Sequence, residues 1–226
     1  FCPYMLVFLL FALLLMLEPH FSCTVLILCV VMTMLFAAGA NLGYFATIIG
    51  PVIAAGGALV SFGYRSDRIT SYLDPFANPR GDGWQIIQSL YAIGSGGLFG
   101  LGLGQSRQKF LWLPEPYNDF IFAVLCEELG FIGAAAVLIL FCVLIWRGIY
   151  VAMRAPDTFG TFVAVGITAL IAFQVLINIA VVTKAIPVTG MPLPFFSSGG
   201  TALLFTLCEM GVLLNISRQI EMPEAK

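Results

Sequence analysis

Charge is scarce in this sequence. Only 10% of its 226 residues are charged, while 60% are hydrophobic, and the mean hydropathy is +1.01. A soluble domain is about 45–50% apolar and about 25% charged. A water-soluble fold of this size has no way to hide so much apolar surface, so the chain reads as a polytopic membrane protein. The net charge of −2 gives no basic footprint for nucleic acid. Catalytic signatures are missing too: there is no GxSxG, no HExxH and no Walker A. The single histidine, His20, follows Pro19 at a helix end and reads as an interfacial polar residue. The six cysteines show no CxxC and no histidine partner at metal-ligand spacing, so they read as small packing residues, and no protein metal site is expected. The first residues, FCPYMLVFLL, have no initiator Met and no basic n-region. They do not read as a signal peptide, and a piece lacking its N-terminal part is expected.

What is present is a set of apolar runs. Six of them, roughly 3–17, 22–39, 44–63, 120–146, 158–183 and 200–217, are long enough or nearly so to span about 30 Å of hydrocarbon. The tight Glu18-Pro19 break makes the first two a helical hairpin. The long connection 64–119 holds most of the charge: Arg65, Asp67, Arg68, Asp74, Arg80, Asp82, Arg107, Lys109, Glu115 and Asp119. It is too apolar for disorder, so packed structure with short interfacial or re-entrant helices is expected. Basic residues set the orientation. Arg147 and Arg154, read as the short loop after the fourth span, and the 218–226 tail with Arg218 and Lys226 belong on the cytoplasmic side. The 64–119 loop and the Pro/Gly-rich 184–200 segment then face outward and share one site. Within the latter, IPVTGMPLPFFSSGG forbids a continuous helix.

Three acids concentrate the chemistry. Asp119 stands at the mouth of the fourth span. An Asp there serves as a plain helix cap, and a capping carboxylate at a cavity rim can also take a proton. A nearby cation, Lys109 or Arg107, is expected to keep it ionised. Glu127 and Glu128 lie about 12–13 Å below it, Glu128 nearly opposite in angle and Glu127 about 80° away. Intramembrane acids are costly and face the bundle interior. Bracing of the helices and a role in substrate handling both fit. The backbone N–H groups of Ser197 and Ser198 offer a place for an anionic oxygen, or a plain helix start. GLGLGQS at 100–106 is no nucleotide signature in this setting.

Two long strings carry a resemblance. DPFANPRGDGWQIIQSLYAIGSGGLFGLGLGQSRQKFLWLPEPYNDFIFAVLCEELGFIG and VVTKAIPVTGMPLPFFSSGGTALL resemble the large extracellular loop and the signature segment of the SEDS proteins (shape, elongation, division and sporulation), nearer the FtsW and SpoVE branch than RodA. The resemblance covers essentially the whole chain. It implies an all-α fold of ten transmembrane helices, of which these are the C-terminal six, in a bacterial cytoplasmic membrane. It implies a peptidoglycan glycosyltransferase that polymerises lipid II outside the membrane beside a class B penicillin-binding protein and other divisome or elongasome proteins. This piece alone is expected to be inactive. The family's essential Asp maps onto Asp119, as general base. Lys109, Arg107, Glu115, Glu128, Ser197 and Ser198 are expected to shape the substrate site, with a divalent cation, magnesium or manganese, as a further source of positive charge. A lipid II flippase, a non-catalytic scaffold and a secondary transporter are the alternatives. The sequence departs from the family pattern at Pro19-His20-Phe21-Ser22, at Tyr117 and at Lys184.

Overall fold

The computed structural model describes residues 10–11, 14–15, 21–41, 43, 45, 71–76, 79 and 83–220. The expected spans 3–17 and 44–63 lie outside these but for a few positions. So do the Glu18-Pro19 break, His20, Arg65, Asp67, Arg68, Arg80, Asp82 and most of the 218–226 tail.

Helix is the only regular secondary structure among the described residues, which contain no strand. Six helices follow in order: α1 Phe21–Ala37, α2 Trp84–Gly96, α3 Gln108–Leu111, α4 Ile121–Arg154, α5 Thr158–Val182 and α6 Gly200–Arg218. α4, α5 and α6 are long and apolar enough to cross a membrane. α1, at 17 residues, is a shorter apolar helix. In hydrocarbon only a helix satisfies its own backbone polar groups, so runs this apolar leave little alternative. α2 and α3 are the short helices expected inside the 64–119 connection.

The chain forms two compact units. One draws on Phe1–Leu42, Leu140–Gln174 and Gly200–Lys226. Its core joins Val151 and Ala152 of α4, Ala164 of α5, and Leu213 and Ile216 of α6. α4 and α5 run close at Gly148, where a Cβ would stand 2.8 Å from Thr168 Cγ2. Small residues let membrane helices approach like this. Asp157 caps α5, accepting the Gly160 N–H at 2.9 Å through Oδ2.

Two expectations need correction here. Arg147 is not in a loop: α4 runs on to Arg154. Its guanidinium lies 5.4 Å from the Tyr150 ring, with that of Arg154 at 4.5 Å. Long basic side chains can travel along a helix surface toward water, so a single Arg does not end a span. Nor is the 120–146 helix continuous, as the second unit makes plain.

That second unit comprises Gly43–Ile139 and Val175–Gly199. α4 breaks at Gly130, which has φ 69° and ψ −170°. A break leaves carbonyls below it and N–H groups above it without helical partners. The GLFGLG backbone from the 64–119 connection supplies them. Leu101 and Gly102 donate to the Glu127 and Glu128 carbonyls, each at 3.0 Å, while Phe131 and Ile132 donate to the Gly97 and Leu98 carbonyls at 2.9 and 3.2 Å. Only glycine permits the approach. A Cβ on Gly100 would lie 2.6 Å from Gly130 N, and one on Gly130 would lie 2.6 Å from Leu98 O. The upper end of this unit is tied to α5: Ser89 of α2 donates to the Val182 carbonyl at 2.9 Å, and the Tyr72 hydroxyl to the Ala185 carbonyl at 3.0 Å.

Candidate functional site

The 114–120 turn precedes α4 and carries Asp119. Proline at 114 and 116 prevents helix, and Glu115 takes a positive φ of 49°. Three successive carbonyls of this turn are then held from the Pro/Gly-rich segment and from α5. Ser198 N–H donates to the Tyr117 carbonyl at 2.9 Å. Ser197 Oγ donates to the Asn118 carbonyl at 2.7 Å, and Asn178 Nδ2 to the Asp119 carbonyl at 2.9 Å. The Asn118 side chain adds two bonds, accepting from Ser198 Oγ at 2.8 Å and donating to Glu115 Oε2 at 2.7 Å. A turn so fully bonded holds its side chains in one arrangement.

Asp119 is half-buried. Burial, and then the negative charge of Glu115, raise its carboxyl above the ordinary carboxylate range. Gly190 faces it: a Cβ there would sit 3.5 Å from Asp119 Oδ2. Gly190 has φ 68°, so the PVTG turn needs glycine for its backbone as well as for the space. Among the described residues no hydrogen bond reaches the Asp119 carboxylate, so the plain cap is not what this side chain does.

Among the described residues neither expected cation forms an ion pair with Asp119. Lys109 Nζ lies 2.6 Å from Glu128 Oε1, and both side chains are 13% exposed. Its charge is therefore committed to Glu128 and does not hold Asp119 ionised. Arg107 is exposed, and its backbone N–H donates to Glu127 Oε1 at 3.1 Å. Glu127 is only 1% exposed. It also accepts from the Ser106 hydroxyl, and from Gln108 N–H at 3.3 Å. A buried carboxylate is tolerable only with such donors. Glu127 and Glu128 thus brace the segment 104–109 against α4, Glu127 buried and Glu128 partly exposed.

Ser197 and Ser198 also differ from expectation. Their N–H groups donate to the Leu193 and Tyr117 carbonyls at 3.1 and 2.9 Å, so they are not free to hold an anion. Their hydroxyls secure Asn118 instead. Lys184 has φ 57° and ends α5, its N–H donating to the Val181 carbonyl at 3.0 Å. The polar residues within the apolar spans, Gln174, Asn178, Glu209 and Asn215 among them, belong to no motif. Asn178, 1% exposed, proves central to the turn. The signal for it was an amide in an apolar run, four residues after Gln174, a costly placement that implies partners. Among the described residues no three His, Cys, Asp or Glu side chains come together as a cation cage. The five described cysteines are unpaired, with Cys126 buried.

Comparison with known proteins gives this geometry its setting. The chain is 55% identical over 208 residues to stage V sporulation protein E of Bacillus subtilis, covering 91% of this chain and 57% of that protein. It is 44% identical over 226 residues to a probable peptidoglycan glycosyltransferase FtsW of Trichlorobacter lovleyi, covering 98% and 58%. The chain thus spans somewhat over half the length of these relatives. Among solved structures, a peptidoglycan synthase complex described as coordinating polymerization and crosslinking superposes with a TM-score of 0.75 at 29% identity, covering 97% of this chain and 62% of that one. The rod shape determining protein RodA of Thermus thermophilus does so at 0.65 and 26%, covering 99% and 57%. The model of the cell cycle protein family FtsW/RodA/SpoVE matches residues 1–222, and the chain belongs to that family of membrane proteins.

Proposed function

We propose that the protein is a peptidoglycan glycosyltransferase that polymerises lipid II on the outer side of the bacterial cytoplasmic membrane, with Asp119 as general base. One observation carries the residue assignment. Asp119 sits half-buried at the entrance to α4, in a turn whose three consecutive carbonyls are each held, with its carboxylate facing glycine and bonded to nothing among the described residues. A rigid turn presenting an unsatisfied carboxylate of raised proton affinity is suited to taking a proton.

The step would run as follows. The 4-hydroxyl oxygen of one lipid II attacks the anomeric carbon of the other and gives its proton to the Asp119 carboxylate. The bond from that carbon to the diphosphate oxygen breaks, and polyprenyl diphosphate leaves with the electron pair. A single displacement inverts the carbon. The leaving group carries its own charge, so no strong acid is needed. Positive potential would come from the exposed Arg107 and from the N-terminus of α4, since Lys109 is neutralised by Glu128. The lipid-facing sides of α4 and α5 suit the polyprenyl chain. By likeness to the peptidoglycan synthase complex, the partner is a class B penicillin-binding protein that crosslinks the product.

Flipping of lipid II finds less support. It calls for intramembrane acids open to a pathway, and Glu127 and Glu128 are engaged by Ser106, Arg107, Gln108 and Lys109. The test uses the full-length protein with its penicillin-binding partner, fed labelled lipid II. Wild type is expected to make glycan chains on a gel, and Asp119→Asn and Asp119→Ala to make none while remaining folded and partner-bound. Normal chains from both variants would reduce Asp119 to a structural role and favour flipping or scaffolding.

A further inference from the structure

We infer that Asn178 is a positioning residue for Asp119, the link that fixes the proton acceptor at the reacting centre; this rests on the reading of Asp119 as the base. An amide nitrogen has two hydrogens, and here both are used. Nδ2 donates to the Asp119 carbonyl at 2.9 Å and to the Met191 carbonyl at 2.7 Å. One side chain thus joins α5, the turn before α4 and the PVTGMPLP segment. The orientation of the amide is settled by these partners, because the flipped form would press its oxygen against two carbonyl oxygens. Oδ1, fully buried, has no partner among the described residues.

Packing does not explain the choice. A leucine would fill nearly the same volume in this apolar helix without the cost of burying an amide. What only the amide supplies is a fixed direction for the Asp119 peptide. Ser198 and Ser197 hold the two preceding carbonyls, and Asn178 holds the one belonging to Asp119 itself. Without it, the backbone after the Asp119 Cα can turn and carry the carboxylate away from Gly190. A misplacement of about 1 Å costs about a hundredfold in rate. Asn178 touches no substrate in this arrangement, so its loss falls on turnover and not on binding.

The experiment measures lipid II polymerisation by the full-length protein with its partner, per folded molecule, for wild type, Asn178→Leu, Asn178→Ser and Asp119→Asn. Asn178→Leu is expected to lower kcat by about ten- to a hundredfold with KM changed less than about twofold. Its acid limb should also move toward the ordinary carboxylate range as the carboxylate swings into water. Asn178→Ser keeps one donor, should fall between, and carries the comparison if the leucine variant does not fold. Unchanged kcat per folded molecule, a rise in KM alone, or an unmoved acid limb overturns the inference. If Asp119→Asn is dead and Asn178→Leu fully active, only this inference fails. If Asp119→Asn polymerises normally, the reading of the base fails with it.

Discussion

Alanine at Gly100 should destabilise the protein far more than alanine a few residues away. The new methyl would lie 2.6 Å from Gly130 N and 2.5 Å from the Glu128 carbonyl carbon, and both atoms are backbone that cannot rotate aside. The position has φ +78°, a left-handed conformation that costs an alanine about 1–2 kcal/mol. Forcing the backbones apart adds about 1–3 kcal/mol. It also endangers the bonds from Leu101 and Gly102 to the Glu127 and Glu128 carbonyls, where each orphaned buried group costs about 1–3 kcal/mol. With one of these groups orphaned the total is about 3–8 kcal/mol, a large part of a typical folding free energy. Two neighbours supply the scale. Gly104 has φ +77° but open space around its Cβ, so Gly104→Ala should cost only the conformational part, about 1–2 kcal/mol. Gly94, in α2 with nothing within 4 Å, should gain about 0.5–1 kcal/mol as alanine. The assay is thermal unfolding of the purified full-length protein in detergent micelles. The expected order of melting temperature is Gly94→Ala, wild type, Gly104→Ala, Gly100→Ala. If Gly100→Ala melts with Gly104→Ala, the close approach at the α4 break is refuted.

Two further outcomes follow from the charges. A double-mutant cycle of Lys109→Met and Glu128→Gln should give a coupling of about 1–3 kcal/mol in the same unfolding assay, since the pair is mostly sheltered from water; additive losses would show that the ion pair does not form. Polymerisation should lose activity on acidification at a midpoint above the ordinary carboxylate value of about 3.9, and Glu115→Gln should move that midpoint down by removing a neighbouring negative charge; an unmoved midpoint would mean another group sets the limb. The sign for stability is the reverse of a salt-bridged acid. The native state holds the Asp119 proton more tightly than the unfolded chain does. This contribution is therefore fully present below the unfolded value and lost as pH rises through the raised native one, so Asp119→Asn should melt no lower than wild type at neutral pH.

What the sequence disclosed and what it hid divide along a physical line. The runs 158–183 and 200–217 match α5 and α6 closely, because hydropathy is a local property and helix is the local answer to lipid. The 114–120 turn and the PVTGMPLP segment were legible from proline and glycine, which restrict or free their own dihedrals. The partner choices were not. Lys109 finds Glu128 nineteen positions away, and Asn178 finds Asp119 fifty-nine away, distances across which residue spacing carries no signal. The Gly130 break was hidden for the same reason: a lone glycine in an apolar helix is usually tolerated, and here its cost is met by a segment about thirty residues upstream. The local pattern at Ser197 and Ser198 could not say that their N–H groups were already claimed, by the Leu193 carbonyl and by the distant Tyr117 carbonyl.

The division of α4 bears on how the chain enters its membrane. At about 1.5 Å per residue, the portion 131–154 reaches about 36 Å and can cross the hydrocarbon unaided, whereas 121–129 reaches only about 14 Å. The shorter piece ends in carbonyls that lipid cannot satisfy, so an insertion machinery reading hydropathy alone has reason to commit the first and not the second. The stretch bearing Glu127 and Glu128 would then settle after insertion, when the GLFGLG backbone comes to meet it. On this account membrane crossing is set by the long half of the helix, and the short half beside Asp119 is assembled later, by folding.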